Sequence, residues 1–456
     1  MKTLDKKWQL ILYGCAGLGL NMLNMIVGSY LCSALLVGGF KDHVESWTYL
    51  NKDLVVAAIW GVLIFIVKTF DGIIDIPLSS LTDNLCTRWG RRRPAILIGL
   101  VPLLVAYVLF LFPLNPYASV ANTIWFASLL AVFYGAYTLT MVTYYATFAE
   151  ILKDEHDRVF VSTVKSICDV VYFSLSFALV PVFVSMGVNI RVVAAMFLPL
   201  AATMLIPLFM IKENSTRPGD APKYPQTMQS VERVNFLQSL LYAMKNKHFV
   251  FWLLIVSVMN VGLQLFLGGI NEFFSSAGLN MTFVMASAFA PVPFTLILYN
   301  KIVKRKGLKF AFQYILLVFS VGMSLMFFCR MLDPSIMLPV AIGCGIIVSF
   351  AIGAFFSVTY TVPAHLAAIE NEKGSVCTSS MYFAVHGLFE GIAAGIATGF
   401  ILVYLKQNEW ISIMTILVAI FCMAAFIMAY FLPKSIKYLG KEKQDANGDK
   451  VGNQNE

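Results

Sequence analysis

KTFDGIIDIPLSSLTDNLCTRWGRRRP, Lys68 to Pro94, continues the apolar run LVVAAIWGVLIFIV, brings Lys68, Asp71 and Asp75 into it, and closes on Gly-Arg-Arg-Arg-Pro. A helix needs about 20 apolar residues to cross a hydrocarbon core about 30 Å thick, because each residue rises about 1.5 Å. The left half of the stretch meets that requirement. A dense basic cluster directly after a span marks a short cytoplasmic loop. A charge at mid-bilayer costs about 2.5–3.5 kcal/mol, so the three charged residues must face a cavity or one another.

The rest of the chain agrees with this reading. Of 456 residues, 59% are hydrophobic and 13% charged, with a mean hydropathy of +0.77. An ordinary soluble domain is about 25% charged, so too little polar surface exists here to cover a water-soluble globule. Twelve long apolar runs lie near 9–38, 53–81, 94–113, 122–151, 160–186, 190–212, 249–275, 280–300, 308–329, 335–363, 377–405 and 410–432. A membrane barrel would show alternating segments of about ten residues instead. The expected fold class is an all-α membrane protein of twelve transmembrane helices. The first run is too long for a signal-peptide core and is read as a retained helix.

The net charge of +8 is distributed by topology and does not point to nucleic acid. Of the 33 Lys and Arg, Lys68 and Lys165 fall inside expected helices, and Lys41, Lys52, Arg191, Arg330 and Lys406 on odd-numbered connections. The remaining 26 lie on even-numbered connections and the termini, which places both termini in the cytoplasm of a cell membrane. The eight cysteines show no ligand spacing, so they read as small core hydrophobes, with no structural metal and no cofactor expected.

The longest polar interruption, Lys212 to His248, has six runs before it and six after it. The expected domains are an N-terminal six-helix bundle (1–211), a cytoplasmic inter-bundle loop (212–248), a C-terminal six-helix bundle (249–433) and a disordered cytoplasmic tail (434–456). Two six-helix halves point to the major facilitator fold. TRWGRRRP after the second run and NKIVKRKG after the eighth stand at matching points of the halves.

Four places carry polar groups inside the expected spans. Lys68, Asp71 and Asp75, at i, i+3 and i+7, share one helical face, giving either hard oxygen ligands for a small cation or a structural ion pair. Lys165 and Asp169, at i and i+4, either pair with each other or offer Lys165 as a donor to substrate. His386 and Glu390, again at i and i+4, lie in the glycine-rich YFAVHGLFEGIAAGIATGF, as a satisfied core pair or as cavity lining. Asn271 and Glu272 follow two glycines near the outer end of the seventh run, either as a solvated acid, which is cheap there, or in a gating role. Asn21 and the run YTLTMVTYYATF, Tyr137 to Phe148, add hydroxyls and rings of the kind that recognise sugars.

FDGIIDIPLSSLTDNLCTRWGRRRP resembles the second helix and following loop of the glycoside–pentoside–hexuronide:cation symporters, the melibiose-carrier family. The likeness extends to LYGCAGLGLNML, AYTLTM, DRVFVSTVK, NKHF and AVHG. It implies a secondary transporter of the major facilitator superfamily that carries a small sugar together with Na⁺ or H⁺. The resemblance implies that Asp71, Asp75 and Thr138 bind the cation. It implies that Asn21, Tyr145, Lys165, His386 and Glu390 form the substrate site. Asp83, Arg88, Gly90 and Arg91 resemble a cytoplasmic motif that latches one gate. Asn21 and Met141 stand where melibiose-type carriers place sugar-binding acids, so the hydrogen bonds a galactoside would receive are partly missing.

No phosphate-binding loop is present, so ATP drive is not expected, and no nucleophile–base spacing suggests an enzyme. The expected partners are a small-molecule sugar, a monovalent cation and the lipid bilayer, with the chain acting as a monomer. Two alternatives stay open at this point: a cation-coupled carrier of an amphiphile such as a lysophospholipid, and a non-transporting receptor on the same fold.

Overall fold

A computed structural model of the chain describes residues 6–40, 44–83, 85–151, 155–211, 213, 215, 244–279, 281–372 and 379–432. Most of the expected inter-bundle loop and the expected tail therefore lie outside the described residues. So do Cys377 and the side chains of Asp75 and Asp83.

Lipid offers no partner for a backbone N–H or C=O, so each apolar run closes its own hydrogen bonds as a helix. Twelve helices long and apolar enough to cross a membrane result. The N-terminal six are α1 (Lys7–Leu35), α2 (Ala57–Asp83), α3 (Arg92–Phe110), α4 (Val120–Ile151), α5 (Glu155–Ser185) and α6 (Ile190–Met210). The C-terminal six are α7 (Lys247–Ser276), α8 (Thr282–Lys306), α9 (Leu308–Cys329), α10 (Pro334–Glu372), α11 (Val385–Gln407) and α12 (Ile411–Ala429). An even number of spans returns the chain to the face on which it began, the terminal face; the other is the far face. In the first half, α4 packs on α2 and α3, while α1 packs on α5 and α6. In the second, α7 packs on α11 and α12, and α10 on α8 and α9.

The two bundles meet where α2 crosses α11, α5 crosses α8 and α1 crosses α7. The α2–α11 contact is a seam of backbone on backbone. A Cβ on Gly72 would meet the carbonyl oxygen of Gly387 at 2.4 Å, one on Gly391 that of Lys68 at 2.5 Å, and one on Gly399 that of Gly61 at 2.5 Å. Gly387, Gly391, Gly395 and Gly399 recur every four residues, so α11 presents a continuous groove to α2. Small residues at such spacing let membrane helices approach closely enough for dispersion and weak hydrogen bonds to hold them. At α5–α8, Phe177 and Phe289 stack with ring centroids 4.2 Å apart, and Ser174 donates to the Phe289 carbonyl at 3.1 Å.

The turns after α2 and α8 match in backbone as well as in sequence. Gly90 has φ +87° and Gly307 φ +89°, in the left-handed region that favours glycine. At Gly90 a side chain is also excluded by space, because a Cβ would meet that of Glu213 at 2.3 Å. The Glu213 carboxylate accepts from the backbone N–H of Arg92 at 2.8 Å and of Arg93 at 3.3 Å. It thereby caps the N-terminus of α3, where the helix dipole favours a negative charge.

Two sequence expectations are corrected here. Lys406 belongs to α11 and is 4% exposed, not on a solvated connection, and Glu272 is fully buried rather than a cheap solvated acid. Each shields the other: the Lys406 ammonium is paired with the Glu272 carboxylate. Burial of either charge is tolerable only with that partner.

Candidate functional site

Helix α4 carries one side of two adjoining polar centres. Its residues Tyr134, Thr138, Met141 and Tyr145 recur at three or four positions, which puts them on one face, and Tyr137 borders that face. Tyr134 and Thr138 face α2; Tyr137 and Tyr145 turn toward α1 and α5.

In the first centre, the Lys68 ammonium donates to the Tyr134 hydroxyl at 2.7 Å and sits 4.0 Å from the centroid of the same ring. Lys68 also interacts electrostatically with Asp71, and Thr138 of α4 interacts with the same carboxylate. Asp71 and Thr138, expected as cation ligands, are thus brought together. Asp75 lies one turn further along α2, its side chain outside the described residues. Lys68 is not left to neutralise Asp71 alone, since Tyr134 takes its hydrogen bond and ring face.

The second centre joins three helices. Lys165 of α5 pairs with Asp169 at 2.7 Å, both side chains about one-third exposed (33% and 31%). The other Asp169 oxygen accepts from the Asn21 amide of α1 at 3.2 Å. The Asn21 carbonyl in turn accepts from the Tyr137 hydroxyl of α4 at 2.7 Å. The Lys165 ammonium lies 4.8 Å from the Tyr145 ring centroid. Asn21 is 4% exposed and sits at the closed end of this network. Sequence reasoning named Asn21, Tyr145 and Lys165 but weighed Asp169 only as a pairing partner, and it passed over Tyr134. The signal for Tyr134 was its place on the polar face of α4.

On the other bundle, His386 Nε2 lies 3.3 Å from Glu390 Oε1. His386 is buried, and the Glu390 side chain is a quarter exposed. The pair sits on the α11 seam at the level of Lys68 and Gly72. His386 and Glu390 therefore line a different wall from Asn21, Tyr145 and Lys165.

The motif between α2 and α3 is a tight turn. Thr87 Oγ1 donates to the Gly90 carbonyl at 2.5 Å and accepts from the Trp89 N–H at 3.2 Å. Arg88 is exposed, Arg91 half-buried and Gly90 buried. Buried Arg92, absent from the sequence-based set, reaches Thr82 of α2 at 3.5 Å.

The chain matches the MFS/sugar transport protein family over residues 12–409. A lactose permease of Lactobacillus helveticus is 30% identical over 149 residues, 32% of this chain and 22% of the permease. A glucuronide carrier protein homolog of Escherichia coli (strain K12) is 30% identical over 69 residues, 15% of each chain. The chain thus spans about a fifth or less of these relatives in the matched parts. Among solved structures, a D-xylose–proton symporter superposes with a TM-score of 0.64 at 15% identity, covering 95% of this chain and 98% of that one. A nucleoside transporter does so with a TM-score of 0.64 at 14% identity, covering 94% of this chain and 100% of the other. At such identity the likeness is one of fold, the major facilitator arrangement of two six-helix bundles. With the family match running over nearly the whole length, the chain belongs to the MFS/sugar transport protein family of multi-pass membrane proteins.

Proposed function

We propose that the protein is a secondary active symporter that moves a small neutral sugar or glycoside together with Na⁺ or H⁺ across a cell membrane, with its terminal face cytoplasmic. The observation that carries this reading is the pairing of two polar centres along one face of α4. Asp71 and Thr138, with Asp75 one turn on, supply hard oxygen atoms for a cation. Asn21, Asp169, Lys165 and Tyr145 supply donors, acceptors and a ring face for a polyol. Alternating access follows from the two-bundle fold, with the halves rocking about this midplane region.

Charge decides between a neutral and an acidic sugar. Among the described residues, the span interiors hold Lys68, Lys165 and Lys406 against Asp71, Asp169, Glu272 and Glu390, and Asp75 adds a further acid to the α2 face. Acids exceed lysines, which suits an added cation and disfavours an added anion. A sugar carboxylate 4 Å from Asp169 would meet a repulsion of about 4 kcal/mol at an effective dielectric of about 20, cancelling its attraction to Lys165. A neutral pair of hydroxyls instead accepts from Lys165 and donates to Asp169.

Uptake into proteoliposomes tests this directly, with Na⁺ and pH gradients imposed separately across a panel of glycosides, pentoses and hexuronides. A neutral sugar should accumulate under one gradient while hexuronides do not. If no sugar moves under either gradient and none shows counterflow, the symporter reading fails. Asp71→Asn should abolish gradient-driven accumulation, and its survival with coupling intact would remove Asp71 from the cation site.

A further inference from the structure

We infer that Lys406 and Ser33 form a charge-neutral latch that holds the two bundles together at the far face, with Glu272 as the permanent counter-ion of the lysine. The Lys406 ammonium donates to the Ser33 hydroxyl at 2.6 Å and to the Ser33 carbonyl at 3.2 Å. Ser33 belongs to α1 of the first bundle; Lys406 and its ion-pair partner Glu272 belong to α11 and α7 of the second. The ion pair therefore lies within one bundle and only the hydrogen bonds cross between the two.

This division has a physical consequence. Separating the bundles across an ion pair would leave two unpaired buried charges, a cost of several kcal/mol. Here, at the ion pair itself, separation breaks the bonds to Ser33, which water can replace, while Lys406 keeps Glu272. The latch can hold the closed state and still release on the scale of a transport cycle.

The local backbone is shaped for it. A π-helical turn at Val27–Leu31 immediately precedes Cys32 and Ser33 in α1, and another at Ile396–Ile401 precedes the last segment of α11, Leu402–Gln407, which carries Lys406. Such turns insert one residue and re-aim the side chains of the next turn, and they concentrate at functional sites. The first also offers the Ser29 carbonyl, which accepts from the Asn271 amide of α7 at 3.3 Å, a second bond between the bundles. Close packing seals the contact: a Cβ on Gly38 would meet the Lys406 carbonyl at 2.5 Å, and one on Gly39 the Glu272 Cβ at 2.8 Å.

The test is amide hydrogen exchange read by mass spectrometry on the full chain in lipid nanodiscs, with thermal unfolding alongside. Ser33→Ala removes one of two acceptors and should raise exchange of residues 36–40 and 408–412 about tenfold, the low end of the weight of a hydrogen bond to a charged group because the Ser33 carbonyl still accepts, with the melting temperature unchanged. Glu272→Gln/Lys406→Met removes the donor without leaving a charge and should raise exchange in the same segments. Residues 111–119, which join α3 to α4 within one bundle, should not change in either. Unchanged exchange in both variants overturns the latch. So does an increase in Ser33→Ala that spreads to 111–119 or comes with a lowered melting temperature, since Ser33 would then be a general packing residue. Neither readout involves substrate, so the result stands apart from the identity of the sugar.

Discussion

Among the described residues, two lysine–carboxylate salt bridges lie inside the spans, Lys165–Asp169 and Lys406–Glu272, and their surroundings differ. Lys165 and Asp169 stand one turn apart on a single helix, one-third exposed, with Asn21 and Tyr145 as additional neighbours. Lys406 and Glu272 stand on two helices and are nearly or fully buried. A pair reached by water gains little from mutual attraction, about 0–1 kcal/mol, because solvent already stabilises each partner. Such a pair can exchange partners with an incoming hydroxyl at small cost. The buried pair cannot, since each charge depends on the other. In the proposed function and the inferred latch, a lysine and a carboxylate serve recognition in one place and assembly in the other, and what separates them is access to water.

Breaking the buried pair should have the largest effect. Lys406→Met leaves the Glu272 carboxylate alone in an apolar setting, and the expected loss is about 3–5 kcal/mol of stability. Thermal unfolding of the purified protein checks it, and adding Glu272→Gln should restore most of the loss. A single variant as stable as the native chain would mean that Glu272 is not held as a charge, and the contrast would collapse.

The seam between the pairs comes next. Gly391→Val pushes methyl groups toward the Lys68 carbonyl, where even a bare Cβ would stand at 2.5 Å. Forcing atoms into a filled interface costs about 1–3 kcal/mol. Because α2 carries Lys68 and Asp71, the variant should lose cation-driven uptake as well as stability. Loss of stability with uptake intact would mean that the seam is packing alone.

How much of this was legible in the sequence depends on the range of the interaction. The twelve spans follow from length and hydropathy, which are local, and helix ends differ from the apolar runs by only a few residues except at α8, which runs on to Lys306, at α10, which runs on to Glu372, and at α11, whose span begins at Val385. The pairings Lys165–Asp169 and His386–Glu390 were legible too, because i,i+4 neighbours on a helix must meet. The glycines of α11 were visible as a row, but nothing local says that Gly61 and Gly72 of α2 receive them. Lys406 was misplaced because a lysine near a helix end ordinarily extends to the interface. Only the fold brings Glu272 and Ser33 to it from distant parts of the chain. Glu213 escaped notice for the same reason: its role as the cap of α3 needs α6 beside that helix.

Asp169→Asn sharpens the comparison from the exposed side. Stability should change by less than about 1 kcal/mol, because the pair is screened. Sugar affinity should fall about 10- to 150-fold, the weight of one hydrogen bond to a charged group. Calorimetric titration of the neutral sugar that moves in the uptake assay, set beside thermal unfolding, separates the two numbers. A large stability loss with unchanged affinity would make Lys165–Asp169 a structural pair like the other.

The smallest effect belongs to Thr138, and it decides whether the two centres on α4 are separate. Thr138 interacts with Asp71, while its sequence neighbour Tyr137 hydrogen-bonds Asn21, so adjacent residues of one helix face different centres. Thr138→Ala deletes a neutral hydroxyl, a change of about 0.5–1.5 kcal/mol, and cation affinity should fall roughly 2- to 10-fold. Thr138→Ser keeps the hydroxyl and should retain native affinity. Sugar affinity measured without the coupling cation should be the same in all three proteins, because Tyr137 and Asn21 are untouched. Measured with saturating cation it should also be the same, since the lost affinity is overcome by mass action. If Thr138→Ala weakens the sugar under both conditions, the hydroxyl belongs to the sugar centre, and the boundary between the two centres lies on the α2 side of Thr138.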